Sequence, residues 1–228
     1  IMKLKSVTYS KKEIINFCIK NIQEIWDKIL QNRNDYDAID FNLDINDSEK
    51  INFKFLGKGT FGIVLKVSFK KTLLIIKIMK VKNDEPIRCR KILKKINYLS
   101  NSPSKKSKQK IELIEKYLTQ IYSINENKSV EMIFLEYLDG LNLKDFINEN
   151  YINQEELNII FLRTLIGVRI FHKLLKLSHR DLKLENLFIE KNNNIRLIDY
   201  GFVCDRDDID CYNKYQGTSK YIHPKNEY

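Results

Sequence analysis

The chain has 228 residues and 27.2 kDa, enough to bury a sizeable core in one large or one two-lobed domain. Hydrophobic residues make up 43% and charged residues 31%, with 40 basic against 30 acidic, a formal charge of +10. This balance excludes a disordered or fibrous chain, and the longest apolar runs are too short to cross a bilayer; the surplus of positive charge suits anionic partners.

The N-terminus has no apolar stretch of the secretory type, so an intracellular, cytoplasmic protein is expected. Between Lys11 and Leu30 the apolar residues Ile15, Ile19, Ile22, Trp26 and Ile29 recur at steps of three and four. That spacing predicts one helix with an apolar face, with Ser10 and Glu13 as a capping box at its start. Residues 31–50 are polar and acidic and read as a linker. The first 50 residues are thus expected to be a helical extension and linker.

From 51 to 82 the β-branched and aromatic content rises, predicting three strands. Residues 86–120 read as helical, interrupted by the lysine-rich "SNSPSKKSKQK" at 100–110. That break reads as a solvated loop rather than a nucleic-acid contact. "SVEMIFLEYL" at 129–138 predicts a strand, 154–176 a long helix, and "LFIE" and "IRLID" two short strands. The four cysteines, Cys18, Cys89, Cys204 and Cys211, form no CxxC pair, so free thiols are expected.

Three of the seven glycines lie within "GKGTFG", as Gly57, Gly59 and Gly62. Strand patterns on both sides make this a hairpin, in which glycine lets the backbone approach a ligand and present N–H groups to phosphate oxygens. Lys77 stands in the apolar "LLIIKIM", where a buried ammonium requires an anionic partner. "SHRDLKLENLFI" at 178–189 gathers His179, Arg180, Asp181, Lys183 and Asn186, and Asp199 follows in "LIDYGF". Two carboxylates and a carboxamide on neighbouring loops suit a hard cation such as magnesium.

Taken in order, "GKGTFGIV", "IIKI", "HRDLKLEN" and "DYG" resemble the eukaryotic-type protein kinases, from about Phe53 to Lys225. The resemblance implies an α+β, two-lobed fold: a β-rich small lobe over about 51–138 and a mainly helical large lobe over about 139–228, without its last helices. It implies transfer of the ATP γ-phosphoryl group to a serine or threonine hydroxyl of a protein substrate. Leu56, Gly57, Lys58, Gly59, Thr60, Phe61, Gly62 and Val64 would cover the nucleotide, and Lys77 would meet its α- and β-phosphates. Glu136 and Leu138 would flank the adenine, with Leu135 at the gatekeeper position. Asp181 would be the base, with Lys183 and Thr218 beside it, and Asn186 and Asp199 would hold Mg2+. Lys183 and "GTSKY" at 217–221 are of the serine/threonine type.

Three features depart from the family pattern. Tyr200 replaces phenylalanine, and "HPK" at 223–225 replaces A-P-E. The helix glutamate expected to pair with Lys77 has three candidates, Glu85, Glu112 and Glu115. The competing readings are an inactive kinase-like binding module, a small-molecule kinase and a basic nucleic-acid binder; neither membrane nor nucleic acid is an expected partner, and the oligomeric state is open. The absence of serine and threonine between Phe202 and Gln216, with Asp205, Asp207, Asp208 and Asp210 present, implies activity without phosphorylation of that segment. One of those carboxylates could pair with Arg180, or the segment is a solvated acidic loop; Tyr212 and Tyr215 are the remaining phosphorylation candidates. The resemblance also implies an apolar face on the 154–176 helix that lacks part of its cover.

Overall fold

The computed structural model describes residues 9–59, 62–79, 84–101, 104–126, 130–212 and 216–221. The chain divides into two units: residues up to Asn83 with Ile121–Tyr137, and Asp84–Gln120 with Leu138 onward.

In the first unit, two short helices, α1 (Lys11–Lys20) and α2 (Ile22–Gln31), replace the single expected helix. The capping box forms as expected: the Ser10 N–H donates to Glu13 Oε2 at 2.6 Å and the Glu13 N–H to Ser10 Oγ at 3.3 Å. The break falls at Asn21, whose side-chain amide donates to the Phe17 carbonyl at 2.9 Å and caps α1 from behind.

A six-stranded sheet follows, built from β1 (Asp40–Asn46), β2 (Glu49–Lys58), β3 (Ile63–Phe69), β4 (Thr72–Met79), β5 (Ile121–Glu126) and β6 (Glu131–Glu136). Its order is β1-β2-β3-β4-β6-β5, and every pairing is antiparallel. Strand β1 lies within the segment read as linker. There Phe41, Leu43 and Ile45 alternate with polar residues, Leu43 pairs with Ile51, and Phe41 stacks on Phe53 at 5.1 Å. Residues of α1 and α2, among them Ile14, Cys18, Ile25 and Trp26, share one apolar cluster with Phe53, Leu65, Leu74 and Phe134 of the strands.

The second unit begins with α3 (Glu85–Ser100) and α4 (Lys105–Tyr117). Helix α4 occupies most of the lysine-rich stretch read as a loop. Ser104 caps it by accepting from the Ser107 N–H at 3.1 Å, Lys, Gln and Glu are good helix formers, and Ile114 and Tyr117 bury one face. Next come β7 (Gly140–Asn142), α5 (Leu143–Glu149), α6 (Gln154–Lys173), β8 (Leu177–Ser178), β9 (Leu187–Glu190), β10 (Ile195–Leu197), β11 (Cys204–Asp205) and α7 (Ile209–Tyr212). Strands β10-β9-β7 form one small sheet and β11-β8 another. Helix α6 buries Ile160, Gly167, Ile170 and Phe171. Its other side exposes Leu157, Ile159, Phe161, Leu162, Leu165 and Ile166, with Phe161 62% accessible. Among the described residues no helix is long and apolar enough to cross a membrane.

The cysteines depart from expectation. Cys18 and Cys89 are buried thiols outside any disulfide, but Cys204 and Cys211 are disulfide-bonded, their Cα atoms 6.0 Å apart. The turn after β11 brings the chain back within reach, which a seven-residue separation does not reveal.

Candidate active site

In the first unit the glycine hairpin joins β2 to β3, closed by a 2.9 Å hydrogen bond from the Gly59 N–H to the Gly62 carbonyl. Gly57 pairs with Val64 beyond a bulge, and Lys58 pairs with Ile63. Leu56 is exposed, and the Lys58 ammonium sits 4.6 Å from the Tyr36 ring. A side chain at Gly62 would collide with the Ile78 carbonyl and lie 2.8 Å from Met79 Cγ, so only glycine lets β4 pass this closely. Thr60 and Phe61 lie outside the described residues. Lys77 stands in β4 opposite Val64 on β3 and Ile133 on β6, and is 6% accessible. Glu136 ends β6, opposite Leu74. Leu138, two residues on and in the second unit, is buried.

In the second unit, β8 leads into the loop that carries most of the expected catalytic residues. The Asp181 carboxylate is buried and receives four contacts. Its Oδ1 accepts from the Thr218 N–H at 2.9 Å and Thr218 Oγ1 at 2.6 Å. Its Oδ2 accepts from Asn186 Nδ2 at 2.8 Å and lies 2.9 Å from Lys183 Nζ. Lys183 Nζ also donates to Thr218 Oγ1 at 3.0 Å. Burial pushes the Asp181 pKa up. The hydrogen bonds from Thr218 and Lys183, with the Lys183 charge, outweigh burial and hold it below its ordinary value. Asp181 is therefore ionised at neutral pH.

Asn186 Nδ2 donates to both Asp181 O, at 2.9 Å, and Asp181 Oδ2. Its amide nitrogen is spent, which leaves Oδ1 as the atom able to meet a cation. Asp199 holds φ 62°, and its Oδ1 accepts from the Gly201 N–H at 3.1 Å. A left-handed backbone at an aspartate is uncommon and accumulates at functional loops. One carboxylate and one carboxamide oxygen are a donor set that suits magnesium when phosphate oxygens complete it. Among the described residues no group of three His, Cys, Asp or Glu could hold a metal unaided.

His179 and Tyr200 brace this loop from beneath. His179 is buried, its ring 5.7 Å from Phe171 and 6.2 Å from Tyr200. Burial lowers its pKa and keeps it neutral, so Nε2 carries the proton donated to the Ile198 carbonyl at 3.1 Å. The Tyr200 hydroxyl finds its acceptor in Thr119 O at 2.8 Å, and burial, then the neighbouring Cys89, raise its pKa.

Arg180 Nη1 donates to the Cys211 carbonyl at 2.6 Å. Of the four carboxylates of that segment, Asp205 is engaged by Lys95 of α3 at 3.0 Å and Asp208 by Lys91 at 3.8 Å. The Asp210 side chain and "HPK" at 223–225 lie outside the described residues. Arg88 of α3 donates to Gly201 O and to Gln216 Oε1. Among the three candidates for the helix glutamate, Glu112 and Glu115 are exposed, whereas Glu85 is 3% accessible at the start of α3.

The profile of the protein kinase domain matches residues 51–226, and the chain belongs to that family. Among curated relatives, it is 30% identical over 192 residues to mitogen-activated protein kinase kinase 2 of Arabidopsis thaliana, covering 82% of this chain and 48% of that protein. It is 30% identical over 184 residues to mitogen-activated protein kinase kinase 9 of the same plant, covering 78% and 54%. NUAK family SNF1-like kinase 1 of Mus musculus is 29% identical over 150 residues, covering 64% and 21%. The chain thus spans about half the length of the first two relatives.

Proposed function

We propose that this chain transfers the γ-phosphoryl group of ATP to a serine or threonine hydroxyl of a protein substrate. The observation that carries this reading is the ionised Asp181 carboxylate, held by Thr218, Lys183 and Asn186. In the reaction, the substrate hydroxyl oxygen forms a bond to the γ-phosphorus while the bond from that phosphorus to the β–γ bridging oxygen breaks. ADP leaves, and the hydroxyl proton passes to Asp181. Lys183, beside that carboxylate, offsets negative charge on the transferring group. Lys77 and the amides of the glycine hairpin take the nucleotide phosphates, and Glu85 takes the part of the helix carboxylate. Magnesium, when bound, supplies charge neutralisation on those phosphates, and Asn186 Oδ1 and Asp199 are the residues that would hold it.

The test is an assay with radiolabelled ATP, magnesium and a mixed protein substrate, followed by phosphoamino-acid analysis. Label on serine or threonine is expected, with Asp181→Asn, Lys77→Met and Asp199→Ala each losing about 10²–10⁴ in rate while keeping wild-type circular dichroism. Unchanged activity in Asp199→Ala would remove it from the metal site. No transfer by the wild-type chain, with nucleotide still bound, would favour an inactive kinase-like module.

A further inference from the structure

The second unit carries a cleft of about 420 Å3 on which phosphoryl transfer makes no demand. It is lined by Lys116 at the end of α4, Arg163 of α6, Glu190, Asn192 and Asn194 around the β9–β10 turn, and Arg196 of β10. Three cations thus face one volume with a single carboxylate. That carboxylate is already committed, since Glu190 Oε2 lies 3.7 Å from Arg196 Nη1 and accepts from Asn194 Nδ2 at 3.1 Å. Among the described residues, neither Lys116 nor Arg163 has an acidic partner.

The positions of these groups are set by the surrounding backbone. Asn194 Nδ2 donates to the Lys116 carbonyl at 2.6 Å and so ties the turn to α4. Arg163 Nη1 donates to the Asn193 carbonyl and ties the same turn to α6. Arg196, 6% accessible, is anchored by its 3.0 Å hydrogen bond to Leu118 O. The two guanidinium groups, held in place before a ligand arrives, lose little freedom on binding it, while the exposed Lys116 ammonium is left to close over it.

The Arg163 guanidinium and the Lys116 ammonium, with the Arg196 charge behind them, match an oxyanion with several acceptor oxygens and a double charge. A bare phosphate would leave much of the cleft unfilled, so there is room for the residue that carries it. We propose that this cleft is a phosphate-monoester site, with Lys116 and Arg163 as its ligands and the Arg196 charge, held by Glu190 and Leu118 O, behind them. The ester comes from a phosphorylated serine or threonine side chain, or the same chemistry is met by free phosphate. The site stands apart from the kinase reading, because it uses none of the residues assigned to catalysis.

Isothermal titration of the whole 228-residue chain decides it, with N-acetyl-phosphoserine amide, its unphosphorylated counterpart and inorganic phosphate as probes. Both phosphate-bearing probes bind and the unphosphorylated one does not. Tighter binding of the phosphoserine probe assigns the site to a phosphorylated side chain, and equal binding assigns it to free phosphate. Lys116→Gln and Arg163→Gln each weaken binding about tenfold or more, whereas Lys12→Gln, an exposed lysine of α1 assigned to neither site, leaves it unchanged. Arg163 also braces the turn. Lys116 is exposed and its side chain holds no other element, so Lys116→Gln keeps the test valid if Arg163→Gln misfolds. Absence of binding, binding that survives Lys116→Gln, or binding lost in Lys12→Gln would each overturn the proposal.

Discussion

Thr218 and Asp181 are 37 residues apart in the chain, yet the threonine hydroxyl donates to the aspartate Oδ1 at 2.6 Å and its amide to the same oxygen at 2.9 Å. These bonds favour the ionised carboxylate, so removing the hydroxyl raises its pKa. For Thr218→Ala the acidic limb of the pH–rate profile is expected to move to higher pH. The stability that Asp181 contributes, present above its unfolded pKa and lost as pH falls through the lowered folded value, shrinks accordingly. Rate measurements from pH 4 to 8 check the shift, and an unmoved limb would detach Thr218 from the titration of Asp181.

The hairpin glycines are not equivalent. A Cβ at Gly57 meets nothing within 4 Å, whereas one at Gly62 meets the Ile78 backbone. Gly57→Ala is expected to keep the fold within about 1 kcal/mol, and Gly62→Ala to lose about 1–3 kcal/mol, since the obstacle is a strand that cannot step aside. Urea unfolding of both variants reads the difference, and equal midpoints would contradict the close approach of β4.

Tyr200→Phe keeps the ring that stacks near Phe171 at 6.0 Å but leaves the Thr119 carbonyl without its 2.8 Å donor. A loss of about 1 kcal/mol in stability with activity within a few-fold of wild type is expected. A large activity loss at unchanged stability would place the hydroxyl in the chemistry instead.

Phosphatase treatment is expected to leave phosphoryl transfer unchanged. Asp205 and Asp208 already meet Lys95 and Lys91, and no serine or threonine lies between Phe202 and Gln216. These half-exposed pairs are worth at most about 1 kcal/mol each, so their role is to set the segment's position. Lys95→Glu should lower activity and the swap with Asp205→Lys should restore it. Activity that falls with dephosphorylation of Tyr212 or Tyr215 would overturn the idea.

Phe161 and Leu162 on α6 are 62% and 58% accessible, and Leu157, Ile159, Leu165 and Ile166 continue the patch. An apolar surface of this kind invites association. Static light scattering of the isolated chain is expected to give a mass above 27.2 kDa. A monodisperse monomer would show that the patch is too small or too mobile to drive contact.

What could be read in the sequence was chemistry concentrated in short spans. Lys77, Asp181, Asn186 and Asp199 stand in motifs whose order and spacing carry their own meaning. Strand β1 was legible in principle, because Phe41, Leu43 and Ile45 alternate, but Asp40, Asn42 and Asp44 give the stretch the composition of a linker. Helix α4 hid behind lysines, its signal reduced to the Ser104 cap and the spacing of Ile111, Ile114 and Tyr117. The Cys204–Cys211 bond and the burial of Glu85 arise from chain reversal and packing, for which no local pattern exists. The phosphate cleft was hidden for the same reason, because Lys116 and Arg163 meet the β9–β10 turn only after folding.

The packing of α1 and α2 against the sheet has a consequence for how this chain tolerates change. Ile14, Ile25 and Trp26 fill the same volume as Phe53, Leu65 and Leu74, so a methylene gained on one side must be given up on the other. Substitutions at 14–29 and in the strands are therefore coupled, and relatives should show compensating sizes at these positions. A recombinant chain trimmed to residue 51, where the family match begins, would expose those strand residues and cut into β2, which begins at Glu49.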